Sequence, residues 1–220
     1  MNAALVLARI TLKRLVRGRV VWVALGISML PIFYAAIMRT HAGNELFGFE
    51  EAALGAICPM LVGATFGDEI EDKTLTYLWS RPIARWAVLV GKLLAIIPIA
   101  AGFVVASWLL CSLIVGGMPP LITIVALILG AKVLALLSTT IATLAPKHGL
   151  AIAISYLLFF DFPLGGMPVS LRVVSITRQI GIASSLWDGT SHAVGGFIAL
   201  AVIATILWLL TLWRVRRLES

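Results

Sequence analysis

Lys132 and Asp161 stand deep inside long apolar runs. At such depth an ammonium and a carboxylate can staple two helices together, touch an anionic permeant or act as a gating charge. Lys132 lies 11 residues into the run 121–145, a depth of about 16 Å at about 1.5 Å per residue. Asp161 lies 12 residues into the run 149–162, about 18 Å from the opposite face and so about 12 Å from the near one, given roughly 30 Å of hydrocarbon. The two depths agree within a helical turn, and only residues 146–148 join the runs. An unpaired charge there costs about 3 kcal/mol, so Lys132 and Asp161 are predicted to pair, most simply as an internal staple.

No other set of residues offers catalysis. His41, His148 and His192 fall in connections, and there is no H-E-x-x-H or His/Cys cluster to hold a metal. Ser107, Ser138, Thr139 and Thr140 lie in apolar runs without a base to activate them, where hydroxyls bond the preceding helical turn or join helices. Cys58 and Cys111 are also in apolar runs and read as small packing residues. Gly91-Lys92 is followed by Leu93, so the phosphate-binding G-x-x-x-x-G-K-[ST] loop is missing. The chain reads as no enzyme and as carrying no cofactor; ATP and Mg, if used, belong to another polypeptide.

The elements that carry these residues are membrane spans. Hydrophobic residues make up 61% of the 220 and charged residues 12%, more apolar surface than a water-soluble fold of this size can bury. A crossing helix needs about 20 apolar residues. The spacing predicts an all-α protein of a single transmembrane domain, with spans at 20–38, 50–66, 82–115, 121–145, 149–162 and 195–213. The second and fifth are short, and Pro59 and Pro98 mark kinks rather than breaks. Glu45, Glu50 and Glu51 are assigned to the first outer loop, where the apolar part of the second span begins at residue 52.

Alternate connections hold thirteen Lys and Arg on one side and three on the other, so both termini are expected in the cytoplasm. The net charge of +7 is thereby an orientation signal, and a nucleic-acid partner loses its support. No secretory signal peptide is read at the amino end, and the location implied is a bacterial cytoplasmic membrane.

Three segments are more than spans or loops. Residues 3–19 place Leu5, Ala8, Leu12, Leu15 and Val16 on one helical face and Arg9, Lys13 and Arg17 on another, the pattern of an interfacial helix, with Gly18 as the bend before the first span. Arg85 and Trp86 serve as further interfacial anchors. Residues 67–80 form the most polar stretch, predicted as a helix on the basic side of the membrane. Asp68, Glu69, Glu71 and Asp72 suit the positive end of its dipole, and Glu69 and Lys73 are spaced for an i, i+4 pair. Ile70, Thr74, Tyr77 and Leu78 share a face, with Leu75 and Trp79 on another; Arg81-Pro82 makes the turn into a long third span that projects or bends near Gly91. Residues 164–193 are too apolar for a free loop and are expected to fold back as short helices in the outer leaflet.

The run 68–95, DEIEDKTLTYLWSRPIARWAVLVGKLLA, resembles the signature region of type-2 ATP-binding-cassette (ABC) transporter permeases, especially the short single-domain subfamily with nitrous-oxide-reductase maturation permeases. The likeness rests on Glu69-Ile70, Thr74-Leu75, Leu78-Trp79, Ser80-Arg81-Pro82, Arg85-Trp86 and Gly91-Lys92; Lys73 stands where many relatives have Gly. The resemblance implies an exporter built as a dimer, with a second copy or a paralogous permease, each subunit docking on a nucleotide-binding ATPase subunit through a coupling helix. That helix would span Glu69, Ile70, Glu71, Asp72, Lys73, Thr74, Leu75, Tyr77, Leu78, Arg81 and Pro82. An extracytoplasmic accessory protein is a further partner type it implies. The rival reading is a secondary transporter or channel that needs no ATPase.

Overall fold

The computed structural model describes residues 3–38, 44–67, 85–145, 147–168, 170–186 and 190–217. Among them the protein is all helical, with six helices long and apolar enough to cross a membrane, an integral multi-pass architecture. An apolar solvent explains the choice: backbone N–H and C=O groups find no water there and must bond within their own helix.

Helix α1 (Ala3–Arg17) ends at Gly18, whose N–H turns back to the Leu15 carbonyl, and α2 (Arg19–Met38) is the first crossing. The second, α3 (Asn44–Val62), closes in a π turn (Gly63–Gly67). The third, α4 (Arg85–Val115), runs without interruption through Pro98 and stops where Gly116 adopts φ +88°, a conformation that favours glycine. The fourth is α5 (Leu121–Leu144). The fifth, α6 (Gly149–Tyr156), continues through a second π turn (Leu157–Asp161) and one more helical turn (Phe162–Gly166). A short 3₁₀ segment (Ser170–Val174) and α7 (Ile176–Ala183) precede the last crossing, α8 (Thr190–Arg217).

The crossings form two layers. Buried residues make up 67%, 56% and 61% of the spans of α3, α4 and α5, against 22%, 28% and 22% for α2, α6 and α8, so the first three are the interior of the bundle. Their shared core includes Phe47, Leu54, Leu61, Ile96, Leu127 and Leu134, all fully buried or nearly so. The outer helices keep large apolar side chains such as Trp22, Phe33, Phe159 and Ile198 exposed, which suits a surface solvated by lipid.

Close helix contact is bought with small residues. A Cβ on Gly196 of α8 would lie 2.6 Å from the Ala183 nitrogen, and one on Gly130 of α5 would lie 2.7 Å from Ile180 Cδ1, so α7 wedges between the two crossings. Six of its eight residues are buried; of the segment 164–193 expected to fold back as short helices, residues 169 and 187–189 lie outside the described residues and 190–193 belong to α8.

One span boundary needs correction. The second crossing starts at Asn44, not at residue 50, and Glu50 and Glu51 are fully buried inside it rather than in an outer loop. The acids did not end the helix because Leu46, Phe47, Ala53 and Leu54 on either side of them are buried and hold the segment in the core. The other bounds move by a few residues, the last crossing being longer at both ends than 195–213.

Candidate functional site

The described ends of α3 and α4 flank residues 68–84 along the chain. A π turn widens the helical ladder and frees backbone carbonyls near its end. At the end of α3 the Thr65 carbonyl is met by Lys92, whose Nζ donates to it over 2.7 Å and sits 4.2 Å above the Phe66 ring. Lys92 is only 3% exposed, so this is a buried, charge-assisted contact. Thr65 Oγ1 in turn bonds the Leu61 and Val62 carbonyls at 3.0 Å each. The contact ties the last turn of α3 to the second turn of α4, the two rods that bracket residues 68–84. One residue earlier, a Cβ on Gly91 would lie 2.7 Å from the Ala4 carbonyl oxygen and 2.9 Å from Leu7 Cβ, so Gly91 is the crossing point of α1 on α4, within a helix that continues unbroken.

Helix α1 presents three faces. Leu15 is buried, and Leu7 and Ala8 meet α4 at Gly91; Leu5, Leu12 and Val16 are exposed beside that seam, and Arg9, Lys13 and Arg17 are exposed beyond them. The predicted apolar face thus divides between protein and lipid, while the basic stripe stays free for an interface. Trp86 is 57% exposed at the start of α4. Glu69, Ile70, Glu71, Asp72, Lys73, Thr74, Leu75, Tyr77, Leu78, Arg81 and Pro82, the whole expected coupling helix, lie outside the described residues, and so does the side chain of Arg85.

The predicted Lys132–Asp161 pair is not formed. Asp161 is fully buried in the π turn of α6, and its carboxylate faces the start of α7. Oδ1 accepts from the Ile176 N–H at 2.8 Å; Oδ2 accepts from the Thr177 N–H at 2.9 Å and from Thr177 Oγ1 at 2.7 Å. Three donors and the positive end of a helix dipole answer the charge without any cation. The Ser175 hydroxyl adds a bond to the Asp161 carbonyl at 3.0 Å. Depth matching alone pointed to Lys132, but the segment folding back after the fifth span reaches the carboxylate first.

Sequence reading missed the acids of α3. Ser107 donates to Glu50 Oε1 at 2.7 Å and Cys111 Sγ approaches the same oxygen at 3.6 Å, joining α3 to α4; Glu50 Oε2 has no partner among the described residues. Both carboxyl oxygens of Glu51 are buried without a hydrogen-bond donor among the described residues. The available signal was the i±3 and i±4 spacing of these acids from Leu46, Phe47 and Leu54, which places them on a buried helical face.

Lys132 instead opens onto a recess of about 560 Å³ between α4, α5 and α8. Its floor is Leu93, Val133, Leu136 and Leu200, all buried, and Trp208 and Thr205 stand on the α8 wall. Thr205 Oγ1 is engaged by the Ala201 carbonyl at 2.8 Å. Lys132 is exposed and makes no hydrogen bond or ion pair among the described residues. No group of three or more His, Cys, Asp or Glu fit to hold a metal occurs among them either. Comparison with known protein families finds no match, and neither does a search of curated proteins.

Proposed function

We propose that the chain is the membrane-spanning permease subunit of an ABC transporter, working as a dimer and driven by ATP hydrolysis on a separate nucleotide-binding subunit, with export as its direction. The observation that supports this most is the clamp at the base of residues 68–84: Lys92 ties α3 to α4 at 2.7 Å, directly beside the segment whose residues resemble a coupling helix. A helix-sized push on that segment would not dissipate in a loose loop. It would move the ends of α3 and α4 together, with α1 seated on Gly91 as the third member of the junction. Closure of two ATPase subunits on ATP and Mg would supply the push, and the 31-residue rod of α4 would carry it across the membrane.

In this reading both termini and the 68–84 segment face the cytoplasm of a bacterial cell, and the exposed basic stripe of α1 lies on anionic lipid headgroups. The test is co-purification with a partner ATPase, followed by Leu75→Asp, Tyr77→Asp and Leu78→Asp. Each variant is expected to keep the six-helix fold and to lose stimulation of ATP hydrolysis by the permease. Unchanged complex assembly and unchanged ATPase coupling in all of them would overturn the reading.

A second reading, an ATP-independent secondary transporter, is favoured by one observation: Glu51 buries a carboxyl without a donor in the middle of the bundle, the kind of group ion-coupled carriers use. Transport by the isolated chain in vesicles with an ion gradient and no ATPase would establish it over the first.

A further inference from the structure

We infer that the recess at Lys132 is a binding site for an anionic amphiphile, a small molecule with one carboxylate, sulfonate or phosphate on a compact apolar body. The argument begins with charge. Lys132 sits midway along a 24-residue apolar helix, and an ammonium at that depth is costly unless an anion answers it. Among the described residues the fold supplies none. Asp161 is taken by the start of α7, and Glu50 and Glu51 are sealed in the core with no exposure at all. Around the ammonium the walls are hydrocarbon, and the one hydroxyl on them, Thr205, already has its acceptor. An occupant that matches these surfaces is apolar with a single negative group.

Size separates the candidate occupants. The wall on α4 runs from Val90 to Ile97 and that on α8 from Leu200 to Trp208, about 10–12 Å of helix at about 1.5 Å per residue. A partner transmembrane helix needs a seam along most of roughly 30 Å of hydrocarbon, so the recess is too short for one. Its volume of about 560 Å³ falls within the range of small-molecule sites, about 300–1,000 Å³. A second copy of the chain fits poorly for another reason. Among the described residues its acids are Glu50, Glu51 and Asp161, all fully buried, and Glu45, which sits at the far end of α3 bonded to Tyr34, and none of these brings an anion to this depth. That the occupant is the transported species rests on the permease reading; that it binds does not.

The experiment uses the full chain, without any ATPase, in nanodiscs of zwitterionic lipid under mildly alkaline conditions. The probe is 11-bromoundecanoate, whose bromine quenches indole fluorescence on contact, and among the described tryptophans only Trp208 lines the recess. Saturable quenching is expected, and Trp208→Phe should remove most of it. Loss of a charge-assisted contact should weaken binding at least ~10-fold in Lys132→Met, with Lys132→Arg retaining it. The neutral 11-bromoundecanol should bind the native chain no better than the acid binds Lys132→Met. Ala201→Phe, which fills the recess and leaves the ammonium in place, should abolish binding and keeps the test alive if Lys132→Met does not fold. Equal affinity for acid and alcohol, unaltered binding in Lys132→Met, or quenching that survives Trp208→Phe would overturn the inference. Displacement of the probe by phosphatidylglycerol in the nanodisc would also overturn it, by assigning the recess to a lipid headgroup, as would a disulfide joining two copies through Ala204→Cys.

Discussion

A double-mutant cycle on Lys132 and Asp161 separates two accounts of the intramembrane charges. In Asp161→Asn the amide oxygen can serve one of the two N–H groups that the carboxylate holds at 2.8 and 2.9 Å, but its NH₂ must then face a donor. Thr177 Oγ1, at 2.7 Å, also loses a charged acceptor. Two buried donors left poorly satisfied at about 1–3 kcal/mol each predict a loss of about 2–6 kcal/mol. Lys132→Met removes an ammonium that has no partner among the described residues at mid-span depth, and should stabilise the protein by up to about 3 kcal/mol. The double variant should then equal the sum within about 0.5 kcal/mol, as for sites with no shared partner. Reversible unfolding in mixed micelles, driven by added SDS and followed by tryptophan fluorescence, gives all four values. Had the two residues formed a buried ion pair, breaking it from either side would cost about 3–5 kcal/mol and the second change would be largely rescued. A coupling above about 1.5 kcal/mol would refute the assignment of Asp161 to the start of α7.

Two further outcomes follow from the same packing. Glu51→Leu replaces a buried carboxyl without donors by an apolar group of similar size and should stabilise the protein by about 1–3 kcal/mol in the same unfolding assay; an equally large loss would mean that the carboxyl has a partner. Gly91→Val forces a Cβ into the space of the Ala4 carbonyl at 2.7 Å and should weaken the seat of α1 by about 1–3 kcal/mol, seen as loss of disulfide formation between Ala4→Cys and a cysteine at residue 87 or 95 while the six crossings stay folded.

Much of the architecture is written in local pattern, because a bilayer makes demands that one helix can meet alone. A run of about 20 apolar residues satisfies its own backbone and its own solvent, so α2, α4, α5 and α8 could be read with errors of a few residues. The bend at Gly18 and the basic stripe of Arg9, Lys13 and Arg17 were legible for the same reason: each depends on neighbours within a turn or two. The beginning of α3 was not, since acids read as loop residues until it is known that Leu46, Phe47 and Leu54 carry them into the core.

What the sequence by itself determined is the solvent of this protein and the number of its crossings, both consequences of composition and short-range spacing. What the tertiary structure decided is which polar groups meet. Lys92 reaches the Thr65 carbonyl across 27 positions, Ser107 reaches Glu50 across 57, and α7 reaches back 15 to Asp161, leaving Lys132 facing an apolar recess. Partnership of that kind depends on which helices touch and which segment arrives first, and no periodicity along the chain encodes it.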